Sequence, residues 1–259
     1  MFTSKLTDSG FAAVTALTQI SFLEMGYNLE LTDAALTHIG QLTQLETLQL
    51  NGQANFTDAG LQKLSGLHRL RLFQMPDGPK VTDVGLSLML SQHPELEVIG
   101  IVGRSLTLAP IAHAQKLQTV FLNGEQLTLD GLKVLQASAG LRTLDLANGR
   151  SEDLQRVAQI PQLRNALIHF YFADGPYPGD KAFASLARLP HLEYIEIEGH
   201  QSPSDAVLET WAACATLQRL NLHSDKGKAR YTPAGIAKFR ELRPDVELHV
   251  DGQDYPAMK

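Results

Sequence analysis

The chain has 259 residues, 44% of them hydrophobic, and a formal charge of -6, with a pI near 5.8. That apolar content exceeds what disordered chains carry, and the acidic balance offers no whole-chain field to hold a phosphate backbone. A single cysteine, Cys214, excludes an internal disulfide and a cysteine-ligated zinc cluster and fits a reducing compartment.

The opening, MFTSKLTDSGFAAVTALTQISF, has no long apolar core behind basic residues. No later stretch reaches the length of a membrane span, so a cytoplasmic protein is expected. Within that opening, LTDSGF reads as a helix start and LTQISF, from Leu17, as a short strand. The pair then recurs along the chain. Strand phrases of the form L-x-x-L-x-L follow as LETLQL from Leu45, LHRLRL from Leu67, LEVIGI from Leu96 and LQTVFL from Leu117. They continue as LRTLDL from Leu141, LIHFYF from Leu167, LEYIEI from Leu192 and LQRLNL from Leu217, with a degenerate DVELHV from Asp245. Between them stand LTDAAL, FTDAGL, VTDVGL and LTLDGL, then the looser PSDAVL and YTPAGI. Thr or Ser before a short apolar-periodic run is a helix N-cap, because its hydroxyl accepts a backbone N–H left unpaired in the first turn; the adjacent Asp suits the positive helix end.

Each repeat is therefore a strand, a turn and a short helix. Neither element buries its leucines alone, whereas stacked copies form a parallel sheet backed by helices around one continuous core. The expected fold is an α/β solenoid with the sheet on a concave face and the helices on a convex one. A single domain spanning 1–259 with nine to ten repeats is expected, starting in mid-repeat and closing with a strand and tail over 245–259. The N-terminal start is expected to be a weakly capped end. FQMPDGPKVTD, FADGPYPGDKAF and HSDKGKARYTP carry Gly and Pro and read as loops inserted at the strand-to-helix edge.

The repeated strand and T-D-x-G-L phrases resemble the leucine-rich repeat superfamily over almost the whole chain. They are most similar to its cysteine-containing subclass and the bacterial GALA-like relatives. The turn cysteine of that subclass is absent here: Gln53, Arg104, Glu125, Gly149 and His200 follow the strands. No F-box-like helical segment precedes Leu17. The resemblance implies a noncatalytic scaffold that recognises a protein or peptide; the alternative it leaves open is a regulatory or targeting domain of a larger enzyme or adaptor.

In L-x-x-L-x-L the leucines point inward and the intervening residues project outward. Read in that frame, Phe73, Val98, Val102 and Phe121 make one projecting apolar group, and His169, Tyr171 and Tyr194 make a second. Arg71, Asp145 and Glu196 supply flanking charge. Aromatic residues and arginine are typical interface anchors, so these ten residues are the expected partner-binding set. Glu198, His200, His223 and Asp225 fall on adjacent repeats, but their spacing matches no metal motif, and no metal site or cofactor is expected. Nothing has the order of a nucleophile, base and acid, and Trp211 and Cys214 sit three apart on a helix as core residues. The expected partner is a protein or peptide, not nucleic acid or membrane.

Overall fold

The computed structural model describes residues 7–26, 30–52, 55–75, 80–101, 106–225 and 227–258. Val102, Gln53, Arg104 and much of the first inserted loop lie outside the described residues. The chain divides into two compact units, Met1–Phe121 and Leu122–Lys259, with the boundary inside one strand.

The first unit alternates α1 (Asp8–Phe11), β1 (Phe22–Gly26), α2 (Asp33–Ile39), β2 (Thr47–Asn51), α3 (Asp58–Leu61), β3 (Leu72–Gln74), α4 (Asp83–Gln92) and β4 (Val98–Ile101), and then enters β5 (Thr119–Asn123). Strands β1 to β4 pair in parallel and in chain order. Leu48 and Leu50 point from β2 into a core shared with Leu36, Ile39, Leu61 and Leu64, all essentially inaccessible.

The second unit runs through α5 (Leu129–Ala137), β6 (Thr143–Ala147), α6 (Ser151–Val157), β7 (Asn165–Phe170), α7 (Asp180–Ser185), β8 (Tyr194–Gly199), α8 (Asp205–Ala212), β9 (Arg219–Ser224), α9 (Pro233–Leu242), β10 (Glu247–Val250) and β11 (Gln253–Tyr255). Strands β6 to β10 are parallel neighbours in chain order, and β11 turns back antiparallel on β10. The core holds Ile195, Ile197, Leu220 and Leu222 against Phe183, Trp211 and Phe239. Trp211 donates its indole N–H to the Phe183 carbonyl at 3.0 Å, which satisfies its one polar atom where water is absent. Both units have the architecture of leucine-rich repeats, so the α/β solenoid class read from the sequence is the one observed.

The cap threonines act as expected: the hydroxyls of Thr32, Thr57, Thr82, Thr128 and Thr232 each accept a first-turn N–H. The aspartate beside them does more than face a helix end. Asp33 accepts the backbone N–H of Thr57 at 2.9 Å and its hydroxyl at 2.6 Å, and Asp58 does the same to Thr82 at 2.8 and 2.6 Å. Asp8 with Thr32, Asp83 with Thr107 and Asp205 with Thr232 repeat the arrangement. Each carboxylate thus ties one helix start to the next. The glycine of T-D-x-G leaves room for this tie, since a Cβ on Gly85 would lie 2.1 Å from a carboxylate oxygen of Asp58.

Three strand frames differ from the sequence expectation. Leu23 and Met25 pair with Leu48 and Leu50, so the first phrase is ISFLEM from Ile20, not LTQISF from Leu17. Phe73 lies between Leu48 and Ile99, so the third is LRLFQM from Leu70. Ala166 and Ile168 pair with Leu144 and Leu146, so the seventh is LRNALI from Leu163. Each stretch satisfies the apolar pattern in two frames. The frame adopted is the one that leaves room for a helix and return turn between cap and strand; the rejected frames would make that connection three residues shorter or four longer.

Candidate recognition surface

These frames redistribute the expected site residues. Phe73 is fully buried and belongs to the core, a direct correction of its expected exposure. Leu72 takes its place in the outward row Phe22, Thr47, Leu72 and Val98, in which Val98 is half-buried as a projecting residue should be. Arg71 stands one residue before β3, not inside the strand, and pairs with Glu97 at 2.7 Å. Phe121 is half-buried on β5. In this unit the face is therefore a band of mixed aliphatic and polar groups, with Phe22 55% exposed at one end.

The second unit carries a denser arrangement. Asp145, Leu167, Glu196 and Asn221 form one cross-strand row, and Ala147, His169, Glu198 and His223 form the next. Tyr171 lies beyond β7, and Leu167 is the β7 residue in the Asp145 row. Tyr171 nevertheless reaches His169, because Asn148, in the left-handed region at φ 52°, accepts the Tyr171 N–H at 2.9 Å through its side-chain oxygen. The Tyr171 and His169 rings stack with centroids 5.8 Å apart and planes 7° from parallel. Gly199 fixes the neighbouring turn: at φ +105°, a Cβ there would come within 2.2 Å of the Phe170 carbonyl oxygen.

His169 is the hub. Its Nε2 lies 3.3 Å from Asp145 and its Nδ1 3.1 Å from Glu198, while the ring itself is buried. Burial opposes charge on the imidazole, but the hydrogen bond to Asp145 and the charges of Asp145, Glu198 and Glu196 outweigh it and raise its pKa above the usual histidine value. The same surroundings raise Tyr171, through burial first and the three carboxylates second. Tyr194 donates to Glu196 and accepts from Asn221 at 2.8 Å; burial and the Glu196 carboxylate hold its hydroxyl protonated. Arg219 lies over the Tyr194 ring at 5.9 Å and is itself paired with Glu247.

Among the expected residues, the fold thus gathers Asp145, His169, Tyr171, Tyr194 and Glu196 and separates Phe73 from the surface. Glu198, Leu72 and the 64% exposed Phe172 join the surface without having been in the expected set. Of the residues weighed for metal, His200 pairs with Asp225, and His223 packs against His249 with ring centroids 4.8 Å apart. Among the described residues, Tyr171 keeps 60% of its surface exposed. Tyr177 of the second loop instead packs under Arg230 of the third at 4.0 Å, and Gln201 donates to the Gly175 carbonyl at 2.9 Å. Burial and the hydrogen bond to Asp180 push the Tyr177 hydroxyl up to about 12.

No family model matches the chain, and no curated protein matches it. Among solved structures it is similar to an internalin C2 of Listeria monocytogenes str. 4b F2365, at 17% identity and a TM-score of 0.47 over 82% of each chain. An internalin F of the same organism is 14% identical, with a TM-score of 0.44 over 95% of this chain and 84% of its own. TLR13, solved in a complex with ssRNA13, is 16% identical with a TM-score of 0.50; the match covers 90% of this chain and 39% of TLR13. These are leucine-rich repeat proteins, and at such identities the similarity is one of fold.

Proposed function

We propose that this chain is a noncatalytic recognition scaffold that binds a protein or peptide across the outward face of its sheet, chiefly in the second unit. The observation that carries this reading is Tyr171, 60% exposed and stacked on His169 beside a strip of carboxylates, followed in the chain by the 64% exposed Phe172. Aromatic side chains left in water next to an ordered polar network are the usual composition of an interface anchor and its rim. The leucine-rich repeat neighbours are consistent with a recognition role. The carboxylates favour a partner with basic or amide groups around an apolar residue. They also disfavour a phosphate backbone, so nucleic acid is not the proposed ligand, although one neighbour was solved with single-stranded RNA. A membrane is not proposed either; among the described residues no helix is long and apolar enough to cross one. We place the repeats nearest the cysteine-containing and GALA-like subclass on their T-D-x-G-L phrase. A cytoplasmic setting is supported by the one cysteine, buried and unpaired.

The test is a pull-down comparing wild type, Tyr171→Ala with Phe172→Ala, and the helical-side controls Lys63→Ala and Lys133→Ala. The proposal expects a partner retained by wild type and the controls and lost by the double variant. A partner retained by the double variant and lost by the controls would place the working surface on the helices.

A further inference from the structure

The surroundings of His169 fit a second role that does not depend on the identity of any partner. Ligand-capable atoms of His169, Glu196 and Glu198 lie within 4.8 Å of one another. From the geometry we propose that these three side chains form a binding site for a divalent transition-metal ion of the zinc type, with Asp145 as the residue that orients the histidine.

The roles follow from what each group offers. A buried imidazole flanked by carboxylates is a mixed nitrogen and oxygen donor set, which suits Zn²⁺ and its first-row neighbours better than Mg²⁺, an ion that favours oxygen alone. Histidine ligands are commonly held by a carboxylate on the nitrogen that does not bind the metal, which fixes the tautomer and the ring. Asp145, 3.3 Å from Nε2, is placed for that task. Nδ1 faces Glu198 at 3.1 Å, and the proton it shares there is the one a metal ion would displace to take the nitrogen lone pair. The stacked ring of Tyr171 walls one side.

Charge points the same way. Asp145, Glu196 and Glu198 crowd one patch, and among the described residues no lysine or arginine pairs with any of them; Asp145 and Glu198 face His169, and Glu196 accepts from Tyr194 and Asn221. A divalent ion supplies the missing positive charge. Ligand atoms around one zinc ion stand roughly 3.2 to 3.5 Å apart, given bonds of about 2.0 to 2.2 Å. To close the observed spread to that range, Glu198, with half its side chain exposed, would turn with the ion, and Glu196 would exchange its contacts with Tyr194 and Asn221 for the ion. The solvent side leaves a position for water or for an anionic group of a bound partner.

The experiment is calorimetric titration of the intact chain with Zn²⁺ in chelator-treated buffer, with Mg²⁺ as the contrasting ion. Wild type is expected to take up Zn²⁺ at this site and to give no comparable heat with Mg²⁺. Glu198→Gln, which alters a half-exposed side chain and should fold normally by circular dichroism, removes one ion per chain from the stoichiometry or weakens it at least tenfold. Asp145→Asn weakens it roughly 10- to 100-fold, as expected for loss of an orienting partner. His223→Gln and Asp225→Asn leave it unchanged. The proposal is overturned if wild type binds no Zn²⁺, if folded Glu198→Gln binds as wild type does, or if the His223 variant is the one that loses the ion.

Discussion

The aspartate ties between repeats give the sharpest stability prediction. Asp58→Ala removes two hydrogen bonds to a charged acceptor, from the Thr82 N–H at 2.8 Å and the Thr82 hydroxyl at 2.6 Å. Bonds to charged groups contribute about 1.5 to 3 kcal/mol each when shielded. Thr82 is exposed, so water replaces part of what is lost. A combined cost of about 2 to 3 kcal/mol follows, at or just below the lower limit for two shielded bonds. For a chain of this size it lowers the melting temperature by roughly 4 to 12 °C. The matched control is Asp130→Ala. Asp130 occupies the same phrase one position later, makes no tie to the following repeat, and pairs with Lys133 on the surface at 2.8 Å. Its loss should leave the melting temperature close to that of wild type, since a fully exposed pair is screened by water. Thermal and urea melts of the two variants decide the matter, and a cycle combining Asp58→Ala with Thr82→Val should show coupling of at least about 0.5 kcal/mol. Equal destabilisation by Asp58→Ala and Asp130→Ala would refute the role assigned to the ties.

Three other outcomes test separate parts of the structure. Leu48→Asp should unfold or severely destabilise the first unit, because it places an unpaired carboxylate in a fully buried position, whereas Gln49→Asp on the outward row should be tolerated; matching urea midpoints would contradict the register. Gly199→Ala should lose about 1 to 3 kcal/mol, since alanine at φ +105° is strained and its methyl meets the Phe170 carbonyl; an unchanged melting temperature would show that the turn relaxes freely. Burial alone would raise the Asp180 carboxyl, but hydrogen bonds from Tyr177 and Ser204 and the charge of Arg230 hold it below its ordinary 3.8. A depressed folded value adds stability that is fully present above the unfolded value and lost as pH falls through the folded one, so the advantage of wild type over Asp180→Asn should shrink below about pH 4; an advantage that grows in acid would reverse the argument.

Much of this was legible because repetition multiplies a weak signal. One L-x-x-L-x-L is ambiguous; ten in series with threonine caps are not. The misplaced frames arose where an apolar residue stands three or four positions from the true start, as Leu67 does from Leu70 and Leu167 from Leu163, so that two readings fit equally well. A signal was present that separates them: the cap residue precedes the strand phrase by thirteen residues from Thr32 to Leu45 and from Thr128 to Leu141. The same interval from Thr7 and Thr57 reaches Ile20 and Leu70, which are the observed frames; the seventh repeat has no threonine cap to count from, and there the frame became clear only from the pairing of β6 with β7. With the interval from Thr57 counted, Phe73 would have been read as core. The His169 cluster was only partly legible. Asp145 and Glu196 were legible as projecting charges, but seeing that His169 and Glu198 share one row requires the frame of β7. The bond that draws Tyr171 back to His169 depends on the left-handed backbone of Asn148, which no apolar pattern encodes.

The central claim, recognition through the sheet face, is tested most directly by hydroxyl-radical footprinting of the chain with and without the partner recovered by pull-down. Side-chain oxidation reports which surface a partner covers, and both faces carry exposed apolar reporters. The account predicts protection of Tyr171, Phe172 and Tyr194, with Val84, Leu88 and Leu129 on the helices, each at least 47% exposed, oxidised at unchanged rates. Protection of Val84, Leu88 and Leu129 with Tyr171 and Phe172 still reactive would contradict it.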